Sequence, residues 1–336
     1  MNEPWQKMLH LGDPAFTATV LVNEARRRGY DWTVLQWATT EQHSSRIATL
    51  VHKAVRGVAW EANFARHRIR HPLIHLHSSL ALPHVSWALR TYALHLHGTD
   101  IRTQQYKPEF RERVLTAIRD ASVVYYSTPD IREHTLPHRP DAILAPVPVA
   151  ASSTPLGTAP AGFQTADYIF FTSRWEEVKG GQFQIDFVRA LKAQVGDSIR
   201  IVGLDWGPNA DQARDAGVHL ISKQQYPDYL AIIAGARVAI GQQSGVMGAS
   251  ELDALDLNVP LVSPLNPDWY DGSSPSLVDP PVLGRTVAVD DADGLAQTVA
   301  ETLNSEHLPD THSWVQQHHS PGATLDVVLR GYEHYL

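Results

Sequence analysis

The sequence predicts an α/β protein built from two doubly wound, parallel-sheet domains, and three observations predict it. Short apolar runs alternate with longer helical patterns along the whole 336-residue chain, as βαβ crossovers require. That length suits two domains of ordinary size, each large enough for its own core. Residues 150–166, rich in Ala, Ser, Thr, Pro and Gly, interrupt the alternation with the composition of a linker. The expected organisation is a first domain over residues 1–150, a linker over 151–166, a second domain over 167–318 and a closing helical segment over 319–336.

In the first half, Met8–Leu11 reads as a short strand entering Gly12-Asp13-Pro14. A helix follows from Ala15 to Arg28 and stops at Gly29, with Arg26, Arg27 and Arg28 complementing its C-terminal dipole. Thr33–Trp37 is the next strand. His43–Arg70 is a long helix whose apolar stripe runs through Ile47, Leu50, Val51, Ala54, Val58, Ala62, Ala65 and Ile69, the face expected to cover the sheet. Further strands are expected at Leu73–Leu76, Tyr92–Leu96, Val123–Tyr126 and Ala142–Leu144.

The second half repeats the alternation, with strands at Tyr168–Thr172, Ile199–Val202, His219–Ile221, Val238–Ile240, Leu261–Ser263 and Thr286–Val289. A polar, His-rich loop then leads to a last helix from about Gly322 to Tyr335.

Composition narrows the function classes. Without cysteine there are no disulfides and no thiolate metal sites. The longest apolar stretch, Ala142–Ala151, has 10 residues including two prolines, far short of the ~20 that span a bilayer. No basic region followed by an apolar segment opens the chain, so a cytoplasmic protein is expected, with peripheral membrane binding left open. The net charge is −8, yet residues 1–150 hold 18 Lys+Arg against 13 Asp+Glu, where the whole chain holds 28 against 36. The excess of cations and histidines in the first half favours an acidic partner there; drift on solvated faces is the bland alternative.

Two stretches of the second half carry the chemistry. The apolar strand Tyr168–Thr172 ends in Ser173-Arg174, and the loop reaches Lys179-Gly180-Gly181 as the next helix opens. Two flexible cations beside free backbone N–H groups suit a diphosphate, although either cation alone is more often an ordinary surface residue. The strand Val238–Ile240 is followed by Gly241 and Gly245 and by a helix beginning near Gly248, with Met247 before it. A carboxylate one turn in, Asp253 or Glu251, can accept from two neighbouring ribose hydroxyls. Ser222, in the loop Ser222-Lys223-Gln224, follows a strand where nucleobase contact is expected.

This pattern, from Ser173-Arg174 and Lys179-Gly180-Gly181 to Met247-Gly248, Leu252–Asn258 and Val259-Pro260-Leu261-Val262, resembles the donor half of a GT-B glycosyltransferase of family four. The resemblance implies two Rossmann-like domains facing across a cleft, a closing helix that returns to the first domain, and retention of anomeric configuration. The family's second block carries two glutamates separated by seven residues. Counting back from Pro260 places Asp253 at the second and Gly245 at the first, so this chain departs from the pattern at both.

His97-Gly98-Thr99-Asp100, after the strand Tyr92–Leu96, resembles the His-Gly-x-Asp turn of the same family. That likeness implies a cleft histidine at His97, with Asp100 orienting the turn; a strand-end cap is the bland alternative. A neutral imidazole can donate to or accept from a sugar hydroxyl and can act as a base near neutrality. Gly12 would let backbone approach a phosphate or the acceptor, though glycine is also a common turn residue. The triplets His75-Leu76-His77 and His95-Leu96-His97 put each histidine pair on one sheet face. Imidazole clusters can bind zinc, but no carboxylate with ligand spacing accompanies them, and no metal is assigned. Asp291-Ala292-Asp293 matches an Asp-x-Asp pattern, but its place before a helical run favours N-capping.

The resulting expectation is a metal-independent glycosyltransferase using a nucleoside diphosphate sugar, UDP- or GDP-linked, with no tightly bound cofactor and no obligate protein partner. Three acceptor classes stay open: an anionic membrane lipid, DNA carrying a hydroxylated base, or a small phosphorylated or polysaccharide acceptor. A degenerate nucleotide-sugar-binding protein and a nucleotide-sugar epimerase are the alternatives.

Overall fold

A computed structural model describes residues 3–37, 46–163 and 167–336, with backbone alone described at 46–51 and 53. The chain divides into two compact units, Met1–Pro146 with Thr324–Leu336, and Val147–Ala323.

The first unit begins with β1 (Lys7–Leu11), α1 (Thr17–Arg27), β2 (Asp31–Leu35), α2 (Arg46–Arg70), β3 (Leu73–Leu76) and α3 (Leu82–Val85). It continues through β4 (Tyr92–Leu96), α4 (Pro108–Asp120), β5 (Val123–Tyr126), α5 (Arg132–Thr135) and β6 (Ile143–Leu144). Its six strands are all parallel in the order β2-β1-β3-β4-β5-β6. The second unit comprises β7 (Tyr168–Phe171), α6 (Gln182–Val195), β8 (Arg200–Leu204), α7 (Ala210–Asp215), β9 (His219–Ile221), α8 (Tyr226–Ala234) and β10 (Val238–Ile240). It ends with α9 (Ala249–Asp256), β11 (Leu261–Val262), α10 (Ala292–Leu303) and α11 (Thr311–His318), and α12 (Pro321–Tyr335) completes the chain. These five strands are also parallel, ordered β11-β10-β7-β8-β9.

Strands buried on both faces read as continuous apolar runs, and Tyr168–Phe171 is fully buried at all four positions. In each sheet the strand order reverses once, between β1 and β3 in the first and between β7 and β10 in the second. Ligands of open parallel sheets bind outside the carboxyl ends of the strands at that reversal. α12 belongs to the first unit from Thr324 onward, where Leu325, Val328 and Tyr332 pack with Met8, Trp32, Val123 and Tyr125. Residues Val147, Val149 and Phe163 pack into the core of the second unit.

Several elements differ from the sequence expectation. α1 starts at Thr17, because Ala15 and Phe16 take left-handed backbone conformations after Pro14. The stripe expected to bury α2 faces outward, with Val58 72% and Ile69 87% exposed, while Phe64 is fully buried. Aromatic side chains remove more apolar area from water than alanine and valine, so the Trp60/Phe64 edge decides which way the helix turns; Ile47, Leu50 and Val51 lie outside the described side chains. Thr286–Val289 is a turn, not a strand: beyond the single bridge Val262–Leu283, Gly284 turns the chain and Val287 N–H bonds back to it. The expected His-rich loop contains α11, whose N-cap Asp310 accepts from Ser313 N–H at 3.1 Å. Asp291 caps α10 by accepting from Gly294 N–H at 2.9 Å. No helix among the described residues is long and apolar enough to cross a membrane.

Candidate functional site

In the second unit the loops after β7 and β10 meet at the strand-order reversal. Gln243 N–H donates to Lys179 O at 3.0 Å, and Lys179 Nζ donates to Gln242 Oε1 at 2.6 Å. This approach demands glycine at 180, where φ is +123° and an added Cβ would lie 2.9 Å from Gln243 Cβ. Glu251 is buried and closes the second loop: Oε1 accepts from Gln242 N–H and Oε2 from Gly248 N–H, each at 2.9 Å. Glu251 therefore shapes the loop, with both carboxylate oxygens engaged. Gly245 accepts from Asn266 N–H at 2.9 Å, and Met247 N–H donates to Tyr270 Oη at 2.9 Å.

Asp253 lies in α9 and is buried, its Oδ1 accepting from Tyr226 Oη at 2.9 Å. Burial pushes its pKa up to about 7, against the bond from Tyr226, so it titrates near neutrality. Arg174 turns toward β8: it pairs with Glu176 and sits over Trp206, 5.2 Å from the ring centroid. Lys223 Nζ lies 4.0 Å from the centroid of the same ring. Trp206 thus gathers two cations, a contact of ~0.5–1 kcal/mol each when exposed. Ser222 is exposed beside Lys223, and its carbonyl accepts from Gln224 Nε2 at 2.6 Å. Of the second-unit residues singled out from sequence, Lys179, Gly180, Gly248 and Glu251 gather around Gln242, with Gly245 and Met247 in the same loop. Arg174 and Ser222-Lys223 gather around Trp206. Sequence reasoning missed Gln242, Tyr226 and Trp206. The run Leu204-Asp205-Trp206-Gly207 after a strand was the available signal for Trp206.

In the first unit the histidines form a ladder. The register opposes His10 to His75 and carries His75, His77, His95 and His97 onto the same face. Neighbouring rings stack: His10–His75, His75–His77, His77–His97 and His95–His97 have centroids 4.3–5.1 Å apart and tilts of 15–23°. His10 Nδ1 is 2.9 Å from His77 Nε2, and His77 Nδ1 is 2.9 Å from His97 Nε2. Loss of hydration holds all five rings below their ordinary pKa, to about 3 for His10 and His97. Each neutral ring carries a single N–H, so His10, His77 and His97 must share one tautomer, all Nδ1–H or all Nε2–H. The ladder thereby sets what His97 offers at Nδ1. With so low a pKa, His97 is a hydrogen-bonding group and a poor base at neutrality.

Asp100 is buried and accepts from Ser79 N–H at 3.1 Å, Ser79 Oγ at 3.2 Å and Ile101 N–H at 3.1 Å, joining the turn after β4 to the segment after β3. Two histidine triads, His10/His75/His77 and His77/His95/His97, each bring one nitrogen per ring to within 4.8 Å of the others. Burial keeps these imidazoles in the neutral state a metal requires. His77 engages both its nitrogens with other histidines, so a metal in either triad would have to displace one of those contacts.

No protein-family model matches the chain, and no curated protein matches it in sequence. Solved structures do match across both units. A UDP-forming trehalose-phosphate synthase from Burkholderia xenovorans superposes with a TM-score of 0.67 at 9% identity, covering 98% of this chain and 99% of that one. Anabaena Alr3699/HepE in complex with UDP-glucose gives 0.66 at 13% identity, covering 98% and 99%. The fold is GT-B. A Listeria monocytogenes protein described as a UDP-N-acetylglucosamine 2-epimerase gives 0.62 at 12% identity, covering 96% and 94%, so this architecture accommodates both transfer and epimerisation.

Proposed function

We propose that the chain is a glycosyltransferase that binds a nucleoside diphosphate sugar in its second unit and delivers the sugar to an acceptor hydroxyl. The observation that carries this reading is the meeting of the loops after β7 and β10 at the strand-order reversal, where Lys179 bonds to Gln242 at the entrance to α6. Arg174, earlier on the same loop, turns instead to Glu176 and Trp206, and Asp253 stands on the helix that follows β10. Negative charge grows on the diphosphate as the glycosidic bond breaks, and Lys179 together with the first N–H groups of α6 is suited to stabilise it, with Arg174 joining only if it leaves Glu176. Asp253 takes the ribose hydroxyls in place of its contact with Tyr226. With positive charge supplied by side chains, the reaction is assigned no divalent cation. The complexes of the Anabaena protein with UDP-glucose and with UDP make uridine the base to test first. Retention of configuration is the finer reading, from the likeness to family four.

Calorimetry with UDP-, GDP- and ADP-sugars, followed by product analysis with a chelator present, tests the proposal. Binding of one donor class and its slow hydrolysis without acceptor are expected. No binding by any donor defeats the proposal. Binding with no turnover would favour the degenerate binding protein, to which glycine at 245 lends support, since the resembling family has glutamate there. Sugar inversion at C2 without transfer would favour an epimerase.

A further inference from the structure

The first unit holds a cavity of about 760 Å3 at its own strand-order reversal, walled by residues that follow β1 and β3 and by one side of α2. Its size lies within the ~300–1,000 Å3 range of small-ligand sites. Gly12 forms part of the wall with φ +84°, and an added Cβ would lie 2.7 Å from Trp37 Nε1, so only glycine leaves the indole where it is.

The lining is aromatic and polar in a particular combination. Phe64, Trp60 and Trp37 form a stack, with Trp60–Phe64 centroids 5.4 Å apart at 11° and Trp37–Trp60 centroids 4.9 Å apart at 26°. Trp60 is fixed by donating from Nε1 to Gln36 O at 2.8 Å. Trp37 is the terminal ring of that stack and lines the cavity. Around it stand Asp13, Glu61, Arg56 and His84. Asp13 is held in place, its Oδ1 accepting from Thr19 N–H at 3.0 Å and its Oδ2 from Thr19 Oγ1 at 2.6 Å and from Gln36 Nε2 at 3.4 Å, so Oδ1 is the oxygen with a second lone pair for a ligand hydroxyl.

A flat indole beside carboxylates and a guanidinium matches a pyranose ring, which has an apolar face of C–H groups and a rim of vicinal hydroxyls. Two carboxylates against one guanidinium disfavour a phosphate, because an anion there would meet like charge at close range. We propose that this cavity is the acceptor site and that it takes an uncharged saccharide stacked on Trp37, with Glu61, Asp13 and Arg56 holding its hydroxyls. The inference rests on the transferase reading for the word acceptor, and it selects against the lipid and DNA acceptors that the basic bias of residues 1–150 favours.

The test uses the full chain with maltose, cellobiose and trehalose, and with trehalose 6-phosphate and phosphatidylglycerol vesicles as competitors, followed by saturation-transfer NMR and calorimetry without nucleotide. At least one neutral disaccharide is expected to bind with a Kd of about 1 mM or tighter and to be extended when UDP-glucose is added. Trp37→Ala should weaken it at least about tenfold, Trp37→Phe should recover most of the loss, and Glu61→Gln should weaken it severalfold. The proposal is overturned if no neutral disaccharide binds, if trehalose 6-phosphate or the vesicles bind more tightly, or if Trp37→Ala binds like the wild type. UDP-glucose binding is measured on the same preparations. Donor binding without saccharide binding defeats the acceptor site alone, and saccharide binding without donor binding defeats the transferase reading alone.

Discussion

Lys179 Nζ donates to Gln242 Oε1 at 2.6 Å and ties the loop that follows β7 to the loop that follows β10. The contact holds a cation at the strand-order reversal, where a diphosphate would gain a charge-assisted hydrogen bond.

Lys179→Met is expected to weaken UDP binding by roughly 1.5–3 kcal/mol, about 12- to 150-fold, because hydrogen bonds to charged groups contribute that much. Calorimetry of the variant measures it. Unchanged affinity for UDP, with a thermal midpoint like that of the wild type, would remove Lys179 from the phosphate site.

With Asp253 at the ribose, as proposed, donor affinity is expected to depend on pH. Its pKa is raised to about 7 by burial, and the ionised form accepts more strongly from ribose hydroxyls than the protonated form. UDP affinity should rise between pH 6 and pH 8, and Asp253→Asn should flatten that rise while lowering affinity at pH 8. A wild-type profile without an inflection near pH 7 would assign the ribose to another group.

How much of this was legible in the sequence depends on whether the deciding interaction was local. The strands were, because a strand covered on both faces is written as an apolar run, as in Tyr168–Phe171. The positions of Arg174, Lys179 and Asp253 after strands could be read, but not that Arg174 turns to Glu176 and Trp206 while Lys179 turns to Gln242. The outward turn of α2 was not, since a periodic count weighs alanine and tryptophan alike, whereas burial of Phe64 under Trp60 does not. Trp206 could be placed after a strand, but its meeting with Arg174 and Lys223 could not, because those two cations come from separate loops. Two histidine triplets could be read directly, but His10 joins them only through the β1/β3 register, which no local pattern encodes.

Gly331 on α12 abuts Tyr125, whose Oη donates to Val328 O at 2.7 Å. A Cβ at 331 would lie 2.2 Å from that oxygen and 2.8 Å from Cζ. Alanine gains about 1 kcal/mol of helix propensity over glycine, but overpacking a buried ring costs ~1–3 kcal/mol and the displaced hydroxyl loses its acceptor. Gly331→Ala should therefore destabilise the first unit, read as a lower urea midpoint. A midpoint equal to or above the wild type would show that α12 shifts freely.

The histidine ladder predicts the direction of acid sensitivity. His10, His75, His77, His95 and His97 have folded pKa values depressed from 6.5, so below pH 6.5 the unfolded chain binds more protons than the folded one. Stability is then full above pH 6.5 and falls as pH drops toward the folded values, by up to about 1.4 kcal/mol per pH unit for each histidine that titrates only on unfolding. The raised pKa of Asp253 has the opposite sign, since its folded form holds the extra proton between about pH 4 and 7. Asp100 in the first unit shares the sign of Asp253. His67 in the first unit and His318 and His319 in the second, the last lowered to about 4, share the sign of the ladder, so among the described residues six depressed histidines stand in the first unit against two in the second. Urea unfolding at pH 7, 6 and 5 should show the first unit losing stability steeply with proton uptake, and replacing His75 and His95 by Phe should make the slope shallower. A first unit equally stable at pH 7 and pH 5 would mean that these rings are charged or hydrated in the folded state, contrary to their burial.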